Sequence, residues 1–91
     1  MEKQRNFIAT KLKLIIALTE LSRAVNPEYS YEINWNEFSK LSDYKQVYTL
    51  AMISPISVEE KQKLLEIADL YEMTNVLNDI TNFNLYEITD Q

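Results

Sequence analysis

The side chains that could do chemistry in this chain are carboxylates, lysines, serines and tyrosines, because its 91 residues include no histidine and no cysteine. A thiol nucleophile, a disulfide, a thiolate metal site and imidazole acid–base catalysis are therefore excluded. The remaining options are a serine–lysine dyad, a pair of carboxylates, an oxygen-lined metal site and an aromatic surface that stacks bases.

Ser57 and Lys61 stand four residues apart, a spacing that brings a hydroxyl near an amine on a helix. A lysine activates a serine only when burial keeps its amine neutral. Glu60 follows Ser57 by three residues, which is the pattern of a capping box at the start of a helix. A cap lies in a solvated turn, so we interpret Ser57 as a helix start and predict no catalytic residue here.

Acidic side chains are frequent but are not spaced for acid–base or metal chemistry. Glu59 and Glu66 share a helical face, which is typical of solvated helix charges. Asp79 with Glu72 or Glu87 lacks the EF-hand spacing and its glycine, since the chain contains no glycine. The absence of glycine also argues against phosphate-cradling loops. We expect no metal site, no cofactor and no enzymatic activity.

The formal net charge of −5 and the scatter of the nine basic residues disfavour nucleic-acid binding through phosphates. Most of the ten aromatic residues fall at apolar helical positions, so core packing is favoured over base stacking. The longest apolar run, Leu14 to Leu18, is too short to span a bilayer, and no cleavage site follows it. We expect a cytoplasmic protein without a membrane partner.

The apolar residues recur with helical period and predict the elements that position these side chains. Phe7, Leu14 and Leu21 mark the buried stripe of a long helix over about 4–24, which Asn26-Pro27 ends. Residues 27–33 predict an extended connector whose Tyr29, Tyr31 and Ile33 cover one end of the core. Asn34 with Glu37 then predicts a short helix over 35–41.

A third helix is predicted to begin at Ser42-Asp43. Pro55 ends it, because proline has no N–H and disfavours helical dihedrals at the residue before it. The face predicted for this helix comprises Tyr44, Val47, Tyr48 and Ala51. The helix that begins at Ser57 is predicted to bury Val58, Leu64, Leu65 and Ala68, with the stem of Lys61 over apolar surface and its amine in water.

Asp69 with Glu72 predicts the start of the last helix. Its predicted inner face comprises Met73, Val76, Leu77, Ile80 and Phe83, and Leu85, Tyr86 and Ile88 extend that face or require a neighbour. Residues 1–91 are thus predicted to form one all-α domain. It is a compact bundle of about five helices, with a long N-terminal helix and a helical hairpin at the C-terminal end.

Residues 50–80 contain the run LAMISP-x-S-x-EEKQ-x-LLE followed by an Asp-Leu pair. The residues concerned are Leu50, Ala51, Met52, Ile53, Ser54, Pro55, Ser57, Glu59, Glu60, Lys61, Gln62, Leu64, Leu65, Glu66, Asp69 and Leu70. This pattern, with Ile33-Asn34-Trp35 upstream, resembles the helical, C-terminal half of the Lon-protease N-terminal domain. That domain is the substrate-recognition part of Lon-type ATP-dependent proteases. The family usually carries arginine where this chain has Met73, and nothing here corresponds to the family's β-rich half.

The resemblance implies a non-enzymatic module for polypeptide recognition or interdomain packing, since catalysis in Lon proteases belongs to other domains. Exposed methionine and aromatic side chains adapt to varied partners. Tyr48, Met52 and Met73 are therefore the candidate contact residues, with core packing as the other interpretation of each.

The first predicted helix carries more apolar residues than one face can bury. Ile8, Leu12 and Ile16 lie beside the Phe7–Leu14–Leu21 stripe. Three explanations stay open for them: packing inside the bundle, a homo-oligomer, or contact with a client or partner protein. The alternative function is therefore a homo-oligomeric structural or regulatory protein that pairs through this helix and binds no client.

Overall fold

A computed structural model describes residues 2–28 and 34–89 of the chain, and within these ranges it contains five helices and no strand. The helices are α1 (Glu2–Val25), α2 (Trp35–Ser39), α3 (Asp43–Ile53), α4 (Val58–Leu65) and α5 (Leu70–Thr89). The predicted all-α bundle is therefore confirmed. Tyr29, Tyr31 and Ile33 lie outside the described residues. In the described part of the chain, no helix combines the length and apolarity needed to cross a bilayer.

The helix starts are set by short-range hydrogen bonds, as the sequence predicts. The side chains of Asn34 and Ser42 accept first-turn N–H groups of α2 and α3. At α4 the Ser57 Oγ accepts from the Glu60 N–H at 3.1 Å, and the Ser57 N–H donates to the Glu60 carboxylate at 2.9 Å. The Asp69 carboxylate accepts from the Glu72 N–H at 3.3 Å near the start of α5. The predicted capping residues are all confirmed.

The break at Pro55 is also confirmed. Helix α3 ends at Ile53, and Ser54 has the extended dihedrals φ −71° and ψ 142° that proline imposes on the residue before it. Ser54 is buried, and its hydroxyl donates to the Ala51 carbonyl at 2.6 Å. The buried hydroxyl is thereby satisfied by one of the last carbonyl groups of α3.

The core is built around α1 and α5, which run parallel because the chain returns through α2, α3 and α4 between them. Phe7 near the start of α1 meets Tyr71 near the start of α5, with ring centroids 5.3 Å apart at 86°. Further along the two helices, Ala17 of α1 and Asn78 of α5 line one groove between them. The fully buried aliphatic side chains of this core include Leu14, Leu18, Leu21, Leu50, Leu64 and Leu77.

Two buried threonines of α5 are accommodated without leaving a polar atom unsatisfied. The hydroxyls of Thr74 and Thr81 donate to the carbonyls of Leu70 and Leu77, each at 2.8 Å. Such bonds to a carbonyl of the preceding turn satisfy the hydroxyl within its own helix. In the described residues, no buried side-chain nitrogen or oxygen lacks a partner.

The C-terminal hairpin is confirmed, because the Asn84 amide on α5 donates back to the Glu60 carboxylate on α4 at 3.3 Å. The predicted inner face of α4 is wrong except for Leu64. Val58 is 67 % exposed, Leu65 is also exposed, and Ala68 lies exposed beyond the end of the helix. A helix of eight residues presents only one or two side chains to a single neighbour, and Ile67 packs against the core instead.

The predicted inner face of α5 is correct for Met73 and Leu77, which are buried, and for Val76 and Ile80, which pack partly buried against the core. It is wrong for Phe83, which is exposed. Thr81 takes the inward position, and a residue two places further along points about 200° away around the helix.

Candidate functional site

Helix α3 presents a row of large side chains at the edge of its buried face. Tyr44, Tyr48 and Met52 stand at positions i, i+4 and i+8, which form one ridge along a helix. The two tyrosine rings are stacked, with centroids 6.3 Å apart and an angle of 21° between their planes. We call these three residues the α3 ridge.

The α3 ridge is only partly covered by the rest of the molecule. Tyr44 is 49 % exposed and Tyr48 is 39 % exposed, while Met52 is half-buried against the core. The predicted face of α3 is therefore half correct. Val47 and Ala51 are buried as predicted, but the two tyrosines lie at the edge of that face.

The structure separates the three predicted contact residues. Tyr48 and Met52 belong to the α3 ridge, whereas Met73 on α5 is 1 % exposed and packs inside the core. Met73 therefore packs in the core, which was the alternative interpretation of this residue. Tyr44 was not predicted as a contact residue, although its spacing of four from Tyr48 in the sequence could have indicated it.

Lys61 fixes the end of α3 to α4. Its amine donates to the Met52 carbonyl at 2.9 Å in a partly buried position. The sequence predicted an amine that stays in water, and the structure adds a backbone partner for it that the sequence did not indicate. A cation at a helix C-terminus is favourable because it satisfies a free carbonyl and faces the negative end of the helix dipole. The Lys61 amine and the Ser57 hydroxyl thus have separate structural partners.

Burial alone would raise the pKa of Glu60, but hydrogen bonds from Ser57 and Asn84 outweigh that effect. The positive charge of Lys63 acts in the same direction as these bonds, so the pKa of Glu60 lies below its ordinary value. This carboxylate therefore stays charged and accepts hydrogen bonds from two elements. Among the described residues, no group of three acidic side chains lies close enough together to hold a metal ion.

A second exposed apolar surface lies on α1. Ile8 is 49 % exposed, Leu12 is 56 % exposed and Ile16 is 61 % exposed, so these side chains do not pack inside the bundle. They also follow the i, i+4, i+8 spacing, and we call them the α1 ridge. Two of the three explanations that the sequence left open remain for them, a homo-oligomer and contact with another protein.

Formal charge is divided unevenly between α1 and the rest of the chain. Helix α1 holds five of the nine basic residues and two acidic residues, which gives it a formal charge of +3. The other residues hold four basic and twelve acidic residues, a formal −8. The basic residues are thus more concentrated in α1 than the scatter along the sequence indicated.

Comparison of the chain with protein-family models, with curated proteins and with solved structures finds no match.

Proposed function

We propose that this chain is a non-enzymatic module that recognises apolar polypeptide segments, or packs against a neighbouring domain, through the α3 ridge. The observation that carries the proposal is the stacked pair of half-exposed tyrosines beside Met52 on a capped helix. The role agrees with the one implied by the resemblance of residues 50–80 to the Lon N-terminal domain. In this proposal, the chain acts without a cofactor in the cytoplasm.

The chemistry of the α3 ridge favours weak binding that tolerates many sequences. Tyrosine offers a large contact area and loses little conformational freedom on binding. A thioether side chain adapts its shape to different partners. The acidic charge outside α1 favours apolar segments that also carry basic residues.

Binding of an unfolded client tests this function. The probe is a fluorescently labelled, basic lysozyme whose cysteines are blocked by neutral groups, so that it stays unfolded. We expect the double variant Tyr44→Ser/Tyr48→Ser to bind it about tenfold more weakly in fluorescence anisotropy, because tyrosine is enriched among the contact residues whose truncation costs over 1 kcal/mol. Unchanged affinity in this variant would contradict the proposal.

The matched control is Phe83→Ser, which removes an exposed aromatic side chain from α5. This variant should bind the client as the unmodified chain does. Circular dichroism and thermal unfolding of each variant establish that it remains folded before its affinity is compared.

The second candidate function is a homo-oligomeric structural or regulatory protein that engages no client. The exposed α1 ridge favours it, because three adjacent aliphatic side chains in water are a typical association surface. Light scattering and client binding on the same samples discriminate between the two functions. A monomer that binds the client supports the first function, and an oligomer that ignores the client supports the second.

A further inference from the structure

We propose that two copies of this chain pair antiparallel through the α1 ridge, with a two-fold axis close to Leu12. The inference rests on the second candidate function and gives it a definite interface. Two features of α1 carry it: the arrangement of the exposed aliphatic side chains, and the order of the charges on either side of them.

The aliphatic side chains are symmetric about their middle member. Ile8 precedes Leu12 by four residues and Ile16 follows it by four, and all three are about half exposed or more. A two-fold axis at Leu12 places Leu12 against Leu12 of the second copy. The same axis places Ile8 against Ile16 of the second copy, twice. Packing of such i±4 rows against each other is the commonest helix–helix arrangement in globular proteins.

The charges flanking the ridge have the order that an antiparallel pair requires. Arg5 lies seven residues before Leu12, Glu20 lies eight residues after it, and both side chains are exposed. In the antiparallel pair, Arg5 faces Glu20 of the second copy, and symmetry repeats the contact. A parallel pair would instead oppose Arg5 to Arg5 and Glu20 to Glu20. The Arg5–Glu20 contact therefore favours the antiparallel arrangement, and the exposed Lys13 of each copy, one residue from the axis, opposes it by like-charge repulsion.

The unequal charge of α1 and the rest of the chain favours a second copy over an anionic lipid surface as the partner of the α1 ridge. The residues outside α1 carry a formal −8, so an anionic bilayer that attracts α1 repels the rest of the molecule. In the dimer, the ridge is covered by a surface of matching shape, and Arg5 of each copy meets Glu20 of the other, while the remaining charge of both α1 helices is positive. The ridge spans about 12 Å of helix, so we expect a small interface and a weak dimer.

The variant Leu12→Glu tests the apolar centre of the interface. It places two carboxylates against each other on the two-fold axis, and we expect at least a hundredfold weaker dimer in analytical ultracentrifugation. The matched control is Leu65→Glu, which makes the same change at an exposed leucine of α4 and should leave the dimer unchanged. Circular dichroism checks that both variants remain helical.

A charge exchange tests the antiparallel order. Arg5→Glu and Glu20→Arg should each weaken the dimer roughly tenfold, because two ion pairs become two like-charge contacts. The double variant Arg5→Glu/Glu20→Arg should recover the original affinity. An equimolar mixture of the two single variants should form heterodimers. In these, the carboxylate introduced at position 5 of one copy meets the guanidinium introduced at position 20 of the other, and the unchanged Glu20 and Arg5 form the second pair.

Several outcomes would overturn the inference, and they differ in what they imply for the second candidate function. An unmodified chain that is monomeric up to millimolar concentration would overturn both. An oligomer that Leu12→Glu and the charge exchange leave intact would overturn the inference but not that function. Binding to anionic phosphatidylserine vesicles by a chain that never dimerises, abolished by Leu12→Glu, would replace the dimer with a lipid surface.

Discussion

Gln46 is the buried amide that joins three parts of the chain. Its oxygen accepts from the Lys11 amine of α1 at 2.6 Å, and its nitrogen donates to the carbonyls of Phe38 and Leu41 at 3.1 Å each. Lys11 also lies 3.7 Å from the Asp43 carboxylate. One polar side chain of α3 thereby links α1 to α2 and to the turn that follows it. A buried network of this kind stabilises a fold only when its members are satisfied.

The variant Gln46→Ala should lower the free energy of unfolding by about 1–3 kcal/mol, because it removes three hydrogen bonds and leaves the Leu41 carbonyl without its side-chain donor. The Phe38 carbonyl keeps the Leu41 N–H, and the Lys11 amine keeps Asp43. Urea unfolding followed by circular dichroism measures the change. The matched control is Gln62→Ala on the exposed face of α4, which should change the stability by less than about 0.5 kcal/mol. Equal effects from both variants would show that the network does not stabilise the fold.

Helices α3, α4 and α5 are joined where side chains satisfy backbone groups at their ends. The capping box of Ser57 and Glu60 starts α4, and the amine of Lys61 closes the end of α3 four residues further along. Glu60 also accepts from Asn84 on α5. The first turn of α4 therefore connects three helices through hydrogen bonds rather than through apolar packing, since only Leu64 of α4 is fully buried.

The stability contributed by the charge of Glu60 should depend on pH. The folded-state pKa is lowered below the ordinary value of 4.5, so the contribution is present above that pH and is lost as pH falls through the folded-state pKa. Glu60→Gln keeps an amide acceptor in the capping box but removes the charge. We expect the unmodified chain to unfold at higher urea than Glu60→Gln at pH 7, and the difference to shrink as pH falls through the lowered folded-state pKa of Glu60.

A constant difference between these two proteins across that pH range would contradict this account. Glu59→Gln is the control, because Glu59 is exposed in the same turn of α4 but has no part in the capping box.

In the whole molecule, α1 and α5 pack side by side in parallel, and the shorter helices pack against them to complete the core. This arrangement uses one face of α1 for the core and leaves the α1 ridge in water. It also places Met73 inside and leaves Met52 at the edge. Two methionines that are equally apolar in the sequence therefore differ in burial.

Truncation of the two methionines should reflect this difference in burial. Met73→Ala creates a cavity in the core and should cost about 3 kcal/mol of unfolding free energy, within the usual range for such changes. Met52→Ala removes a half-buried side chain and should cost about 1 kcal/mol or less. Thermal or urea unfolding of both variants checks the order, which an equal or greater cost for Met52→Ala would contradict.

The start and end of each predicted helix could be read from the sequence because they depend on local chemistry. Asn34, Ser42 and Ser57 each cap a first turn within three residues, and Pro55 acts on the residue directly before it. Part of the α3 ridge could be predicted as well, since Tyr48 and Met52 share a helical spacing. Met73 could not be separated from them, because burial depends on which neighbouring helix covers a position.

The amino-acid order was sufficient to specify the all-α class, the approximate number of helices and the residues that cap them, because each of these follows from contacts a few residues long. The parallel course of α1 and α5, and hence which apolar rows are covered, emerged only with the folded chain. The α1 ridge, Phe83 and Val58 are as apolar as the core residues but remain exposed. The physical reason is that the helical period marks several apolar faces, and packing between distant helices selects which of them leave water.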